Sequence, residues 1–188
     1  MTHSQEVHDL SRALDRHRAF LLQTADGLDD ERARRASTAS ALSIASILKH
    51  VADTEAQWMD FAVRGAEAFA GPGDADAAST PDGEAVNAGE ATDEADAPEA
   101  PDPRFALSLD ETLPVLRERV LDVGARTTEL LSRLDLDSTH ALPDAPWFEP
   151  GETWSVRRVA LHLIAEISQH AGHADIIRES IDGARTMG

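Results

Sequence analysis

The sequence of 188 residues contains no cysteine. This absence excludes disulfides, zinc fingers, iron–sulfur centres and a cysteine nucleophile, so any thiol chemistry must use a sulfur atom from another molecule. Lysine is almost as scarce, because Lys49 is the single lysine among 17 basic residues. A catalytic Schiff base would depend on that one side chain, which makes it an unattractive hypothesis.

Positive charge and long apolar runs are also in short supply. Seventeen basic residues against 35 acidic residues give a formal net charge of -18. Such a surface repels phosphate backbones and anionic lipid head groups. No run of about 18 apolar residues is present, and residues 1–10 lack the basic start and apolar stretch of an export signal. We therefore expect no nucleic-acid partner, no membrane partner and a cytoplasmic location.

An acidic segment over residues 71–103 interrupts an otherwise ordinary globular composition. It contains ten acidic residues, five prolines and four glycines, no Lys or Arg, and only Val86 as an apolar side chain larger than alanine. This composition cannot bury enough apolar surface to offset its ordering entropy, and it predicts a mobile acidic loop. A tolerated insertion is the simpler interpretation, and a decoy for a basic partner is the alternative. The length and 41% apolar content suit one domain over residues 1–188.

Apolar residues at three-, four- and seven-residue spacings predict four long amphipathic helices. The predicted helices cover about residues 4–28, 42–69, 108–134 and 155–182. Glu111 follows Ser108 at capping-box spacing, although Pro114 permits a later start of the third helix. Convincing strand alternation appears nowhere. The prediction is an all-α four-helix bundle with a long acidic connection between helices 2 and 3, and the core of such a bundle can hold a metal site.

The stretch HLIAEISQHAGH in the last predicted helix contains candidate metal ligands. At about 100° per residue, Glu166 and His170 both point towards the apolar face, whereas His173 lies nearer its edge and His162 at its rim. Glu166 and His170 are four residues apart, so their side chains can converge on one ion. His50, on the flank of the buried face of helix 2, is the natural third ligand.

A His, Glu, His set leaves coordination positions open, as catalytic metal sites do and closed structural sites do not. Zinc, nickel, iron or manganese would fit these ligands, and we favour zinc or nickel. The alternative for Glu166 and His170 is a buried carboxylate–histidine pair without a metal. His173 could be a fourth ligand, a hydrogen-bond donor to a ligand, or only a neighbour.

The other unusual residues have simpler interpretations. His162 is predicted to be a solvated or capping imidazole. Glu55 lies on the apolar face of helix 2 and requires a partner, either an arginine or a ligand histidine that it orients. The tryptophans are expected to anchor the core or loops, and Trp147 with Phe148 could line a pocket mouth. Surface positions are predicted for His3, His8, His17 and His140.

The segments LSIASILKHVADTEAQW and WSVRRVALHLIAEISQHAGHADIIRESIDG carry a family resemblance. They resemble the DinB/YfiT-like superfamily of metalloenzymes, most closely its actinobacterial mini-circle-type proteins, over about residues 10–183 apart from the acidic insertion. The resemblance implies a four-helix bundle with a metal triad, matched here by His50, Glu166 and His170. Many members have two histidines in the last helix, and mycothiol-dependent maleylpyruvate isomerase is similar to this chain in its His, Glu, His ligands.

The resemblance implies a divalent-metal-dependent transferase or isomerase that activates a low-molecular-weight thiol, such as mycothiol, for attack on an electrophilic substrate. Arg157 or Arg158 could neutralise carboxylates of the thiol or substrate, or simply lie on the surface. The alternatives are a metal-dependent hydrolase and a non-enzymatic, stress-associated metal-binding bundle. A homodimer is expected from the resemblance. No counterpart of the isomerase's additional C-terminal domain is expected, so its substrate is not carried over.

Overall fold

A computed structural model describes residues 3–69, 102–146 and 148–186. Within these residues, five α-helices and two short strands follow one another in this order: α1 (His3–Thr24), α2 (Asp30–Ala33), α3 (Ile44–Arg64), α4 (Leu113–Arg133), β1 (Thr139–Ala141), β2 (Thr153–Ser155) and α5 (Val156–Asp182). The all-α class and the helical bundle are confirmed. Of the predicted acidic loop, all but Asp102 and Pro103 lies outside the described residues.

The four long helices pack around one apolar core. Helix α1 packs against α4 and α5, and α3 packs against the same two helices, so α1 and α3 lie diagonally opposite each other. The largest fully buried side chains come from all four long helices and include Leu14, Phe61, Leu116 and Leu163. Because α3 and α5 are neighbours, polar side chains on their facing sides can meet inside the bundle.

Helix α3 begins and ends at local signals that the sequence contains. The Ser46 N–H donates to Ser43 Oγ over 3.1 Å, and the Ser43 N–H donates back to Ser46 Oγ over 2.9 Å. At the other end Gly65 has φ +70°, and a Cβ atom there would lie 3.1 Å from Nδ1 of His140. The chain then continues as a 3-10 helix over Gly65–Phe69. The last predicted turn of helix 2 is therefore 3-10 rather than α-helical.

The predicted start of the third helix at Ser108 is wrong, and the alternative of a later start at Pro114 is confirmed. The expected contact exists, since the Ser108 N–H donates to Glu111 Oε2 over 2.9 Å, but α4 begins at Leu113. Pro114 occupies the first turn of α4. Backbone N–H groups in the first turn have no partner within the helix, so proline, which lacks this group, is tolerated there. The Leu113 N–H donates to Oδ1 of Asp30 in the short helix α2. The start of α4 thus depends on a residue more than 80 positions earlier, which local spacing cannot show.

A pair of antiparallel strands precedes α5, with His140 opposite Trp154. Each strand has three residues, too few for alternation to predict it. The hairpin places Trp154 immediately before α5. Ser155 caps this helix by accepting a hydrogen bond from the Arg158 N–H, and Gly183 follows its end with φ +76°, so α5 matches the range predicted for the fourth helix to within one residue.

The partner of Glu55 is an arginine of α1. Oε1 of Glu55 accepts from Arg18 Nη2 over 2.7 Å and Oε2 accepts from Nε over 2.9 Å, while both residues are buried. Gly124 of α4 leaves room for the guanidinium, because a Cβ atom there would lie 2.9 Å from Arg18 Nε. The pair ties α1 to α3. The hypothesis that Glu55 orients a ligand histidine is therefore wrong.

Candidate metal centre

Side chains from two neighbouring helices converge at one point of the bundle. His50 lies in the second turn of α3, and Glu166 and His170 lie in the middle of α5. One possible ligand atom from each residue lies within 4.8 Å of the other two. The imidazole rings of His50 and His170 are 4.8 Å apart between centroids, and Nε2 of His170 is 3.6 Å from Oε2 of Glu166. The structure thus brings together the three residues proposed as ligands.

The donor atoms and their spacing fit a divalent ion. His50 and His170 are both buried, and Nδ1 of His170 has no hydrogen-bond partner among the described residues. The distance of 3.6 Å from His170 Nε2 to Glu166 Oε2 is longer than a normal hydrogen bond. It is close to the separation of about 3.4 Å between two ligand atoms of a tetrahedral zinc ion. Imidazole nitrogens and a carboxylate oxygen also suit nickel, iron and manganese.

The electrostatics of the cluster favour the protonation states that bind metal. Burial lowers the pKa of His50, and the adjacent His170 lowers it further. Contact with the His170 imidazole lowers the pKa of Glu166, and this effect is larger than the opposing effect of partial burial. At neutral pH the carboxylate is therefore ionised and the His50 ring is neutral. Metal ligands of these two types bind in those forms.

A 3-10 turn over Pro103–Phe105 covers the cluster on one side. The ring of Phe105 stacks on His50 with 4.2 Å between centroids and 28° between planes. Nζ of Lys49 donates to the Arg104 carbonyl over 3.3 Å, so the turn is fastened to α3 next to His50. Sequence analysis missed this turn, because neither phenylalanine nor arginine is a metal-ligand type and Pro103 was assigned to the acidic loop.

A cavity of about 380 Å³ opens beside His50 and Glu166. One side of it is formed by four aromatic residues, here called the aromatic wall: Trp58, Phe69, Phe148 and Trp154. The remaining lining side chains are polar: Thr54, Gln57, Arg104 and His162. A larger concavity of about 900 Å³, between the end of α1 and the start of α4, contains none of the three candidate ligands.

The structure changes the interpretation of two histidines and leaves a third outside the cluster. His162 is half-buried, edge-on to Trp58 at 4.8 Å and to Trp154 at 5.1 Å, so the prediction of a solvated or capping imidazole is wrong. His140 is also half-buried and donates from Nε2 to the Ala62 carbonyl, which corrects its predicted surface position. His173 is exposed, with its ring 5.7 Å from that of His170.

Two tryptophans are buried as predicted, and they also face the cavity, which was not foreseen. Trp58 and Trp154 belong to the aromatic wall together with Phe148, one of the two residues proposed for a pocket mouth. Trp147 lies outside the described residues, as does the side chain of His3. His8 is exposed as predicted, and His17 is half-buried.

The two arginines proposed to bind the thiol or substrate do not line this cavity. Arg157 is paired with Glu6 and Asp137. Arg158 places its guanidinium carbon 4.8 Å from the centre of the Trp154 ring. Their proposed role stays a prediction. Arg104, which sequence analysis did not single out, is the arginine found at the cavity.

These observations define a class: a helical bundle with a His, Glu, His cluster shared by its second and last long helices. The family model for MST, mycothiol-S-transferase, matches residues 9–183. The chain therefore belongs to the mycothiol-S-transferase family, which is part of the DinB/YfiT-like superfamily. No curated protein and no solved structure gives a significant match to it. Among the described residues, the helices are too short or too polar to cross a membrane.

Proposed function

We propose that the protein is a divalent-metal-dependent S-transferase that joins a low-molecular-weight thiol, such as mycothiol, to an electrophilic substrate. The observation that carries this proposal is the convergence of His50, Glu166 and His170 at the edge of a cavity. Membership of the mycothiol-S-transferase family supports a thiol as one of the reactants. A chain without cysteine must take its sulfur from such a small molecule.

Three residues would hold the ion, which we propose to be zinc or nickel: His50, Glu166 and His170. When bound, a divalent ion supplies positive charge that lowers the pKa of a coordinated thiol. Cysteine side chains, the strongest competitors of a small thiol for such an ion, are absent from the sequence. His50 and Glu166 line the cavity, from which both reactants would have access to the ion.

The residues around the cluster position the ligands and exclude water. Phe105 fixes the plane of the His50 ring by stacking on it. The aromatic wall keeps one side of the cavity apolar. In the transfer, the thiol proton passes to solvent and the sulfur electron pair forms the new carbon–sulfur bond. The leaving group departs with the electrons of the bond that breaks.

Three further proposals do not depend on the site. A single domain over residues 1–188 and a cytoplasmic location are proposed from the sequence composition, and a homodimeric state is proposed from the family resemblance. Arg157 and Arg158 are retained as candidates for binding a carboxylate, although the pairing of Arg157 with Glu6 favours a structural role for it.

The test is a conjugation assay on purified protein of known metal content. A generic electrophile is supplied with and without mycothiol, and the adduct is measured. We expect adduct formation only with the thiol. We also expect His170→Ala to lower the rate of adduct formation by at least about 100-fold, because loss of a residue that only supports a metal ligand already lowers metal affinity or activity by about 10- to 100-fold. His173→Ala is the matched control, because this exposed imidazole lies one turn further along α5 and should keep full activity.

The other outcomes of the assay separate the alternatives. Cleavage of a hydrolysable electrophile without added thiol would favour the hydrolase. A protein that binds metal but gives no turnover under either condition would favour the non-enzymatic bundle. Full activity in His170→Ala would contradict the proposed ligand set.

A further inference from the structure

The aromatic wall consists of four rings that contact one another beside the candidate metal centre. Trp58 from α3 and Trp154 from β2 are stacked, with 4.7 Å between ring centroids and 15° between planes. Phe69 lies edge-on to Trp58 at 5.1 Å, and Phe148 lies edge-on to Trp154 at 6.0 Å. Two stretches of the chain, residues 58–69 and 148–154, therefore place their rings around one space beside the candidate metal centre.

The outer two rings of this wall remain partly accessible. Phe69 and Phe148 are half-buried, and both line the cavity together with the two tryptophans. Apolar surface that faces water raises the free energy of the protein until something covers it. Rigid aromatic rings also prefer other rings as neighbours, in edge-to-face or offset stacked arrangements. The wall is therefore suited to a planar, apolar ligand.

Besides the four aromatic residues of the wall, six polar residues line the cavity, among them His162. Glu166 and His50 mark the side at the candidate metal centre, and Gln57, Thr54 and Arg104 supply hydrogen-bonding groups. The volume of about 380 Å³ lies within the range of about 300–1,000 Å³ that is usual for small-molecule sites. The guanidinium of Arg104 is paired with Asp102, so its charge is already balanced by a carboxylate.

We infer that the aromatic wall binds the electrophilic substrate and selects an uncharged compound with a planar aryl group. This inference rests on the proposed function, because it assigns the substrate class to the same site. The aryl group would lie against Trp58, Phe148 and their neighbours. The electrophilic carbon next to it would then face Glu166 and His50.

Binding of an unreactive probe tests this inference without turnover. The probe is 2-naphthylmethanol, and its fully saturated decahydro counterpart is the comparison, both titrated calorimetrically into the protein as purified. We expect the naphthyl compound to bind about 3- to 10-fold more tightly than the saturated one, the range that an aromatic contact provides. Phe148→Ala should remove most of this preference, because its ring is half-buried and faces the cavity.

Phe20→Ala is the matched control. This half-buried phenylalanine of α1 contacts His17 and lies outside the cavity lining, so the preference should be unchanged. Equal affinity for the two compounds, or no binding of the naphthyl compound, would overturn the inference even if the thiol is transferred. A Phe148→Ala variant that binds mycothiol more weakly but keeps its naphthyl preference would overturn it as well. Absence of transfer with the binding preference intact would instead count against the proposed function.

Discussion

His162 shows how burial controls the charge of a single residue in this molecule. Its ring lies edge-on to the stacked rings of Trp58 and Trp154, and burial lowers its pKa from the usual 6.5. The nearby Glu166 acts in the opposite direction, with a smaller effect than burial. At neutral pH the imidazole is therefore uncharged. Acidification has to place a proton on it against the cost of desolvation.

This arrangement predicts that acid destabilises the fold through His162. Between pH 6.5 and the lower pKa of the folded state, the unfolded chain binds a proton that the folded chain does not. The free energy of unfolding therefore falls as the pH falls through this window, and levels off below it. In His162→Phe the ring packing is largely kept and the titration is removed. The variant should lose less stability than the wild-type protein between pH 7 and pH 5.

Urea unfolding followed by circular dichroism at both pH values measures the difference. A chelator is present throughout, so that metal release does not contribute. His50, whose pKa is also lowered, contributes equally to both proteins. Identical pH dependences of the two proteins would contradict the prediction.

The inward direction of Glu166 and His170, towards the bundle, could be predicted from their angular positions around the helix axis, because both lie on one regular helix. They could not predict the surroundings of His162. Its environment depends on Trp154, which reaches the same place through a hairpin of three-residue strands. Sequence periodicity contains no information about such short elements.

At the scale of the elements, the pair of Arg18 and Glu55 connects α1 to α3, the helix that carries His50. Both side chains are buried, whereas Asp15, which also contacts Arg18, is exposed. Removing one member of a buried pair leaves an uncompensated charge in the core and costs about 3–5 kcal/mol. Removing an exposed partner costs less than about 1 kcal/mol.

We therefore predict that Glu55→Ala lowers the free energy of unfolding by about 3–5 kcal/mol. The control Asp15→Ala should lower it by less than about 1 kcal/mol. The double variant Arg18→Met/Glu55→Leu should be more stable than Glu55→Ala, because it leaves no unpaired buried charge. Urea unfolding of the three variants provides the comparison. Similar losses for Glu55→Ala and Asp15→Ala would show that the buried pair is not the stabilising contact.

The elements that the sequence predicted well are those fixed by local signals. The helices predicted to begin at about residues 42 and 155 begin within two residues of those positions, after the capping residues Ser43 and Ser155. The last helix ends at Asp182, the predicted residue, and Gly183 follows. The turn at Phe105 was missed because its contact with the distant residue His50 is not visible in local spacing. The same holds for the contact of Leu113 with Asp30 at the start of α4, although Pro114 had indicated a later start. The capping-box spacing of Ser108 and Glu111 predicted the start of a helix, but the chain forms a bend at residues 109–110.

For the whole molecule, a metal ion at the cluster would connect α3 to α5 and thereby stabilise the fold. A ligand that binds only the folded state stabilises it by about 2.7 kcal/mol when its concentration is 100 times Kd. We predict this increase in the free energy of unfolding for the wild-type protein with zinc, and none for His170→Ala. Chemical unfolding with and without zinc measures it. A His170→Ala variant stabilised as much as the wild-type protein would place the zinc elsewhere.

The most direct test of the central claim is anomalous diffraction from crystals of the zinc-loaded protein. The proposal predicts one strong anomalous peak at the zinc edge, about 2.0 to 2.2 Å from a nitrogen of His50, a nitrogen of His170 and an oxygen of Glu166. A peak at other residues, or no peak at this cluster in crystals that contain zinc, would contradict it.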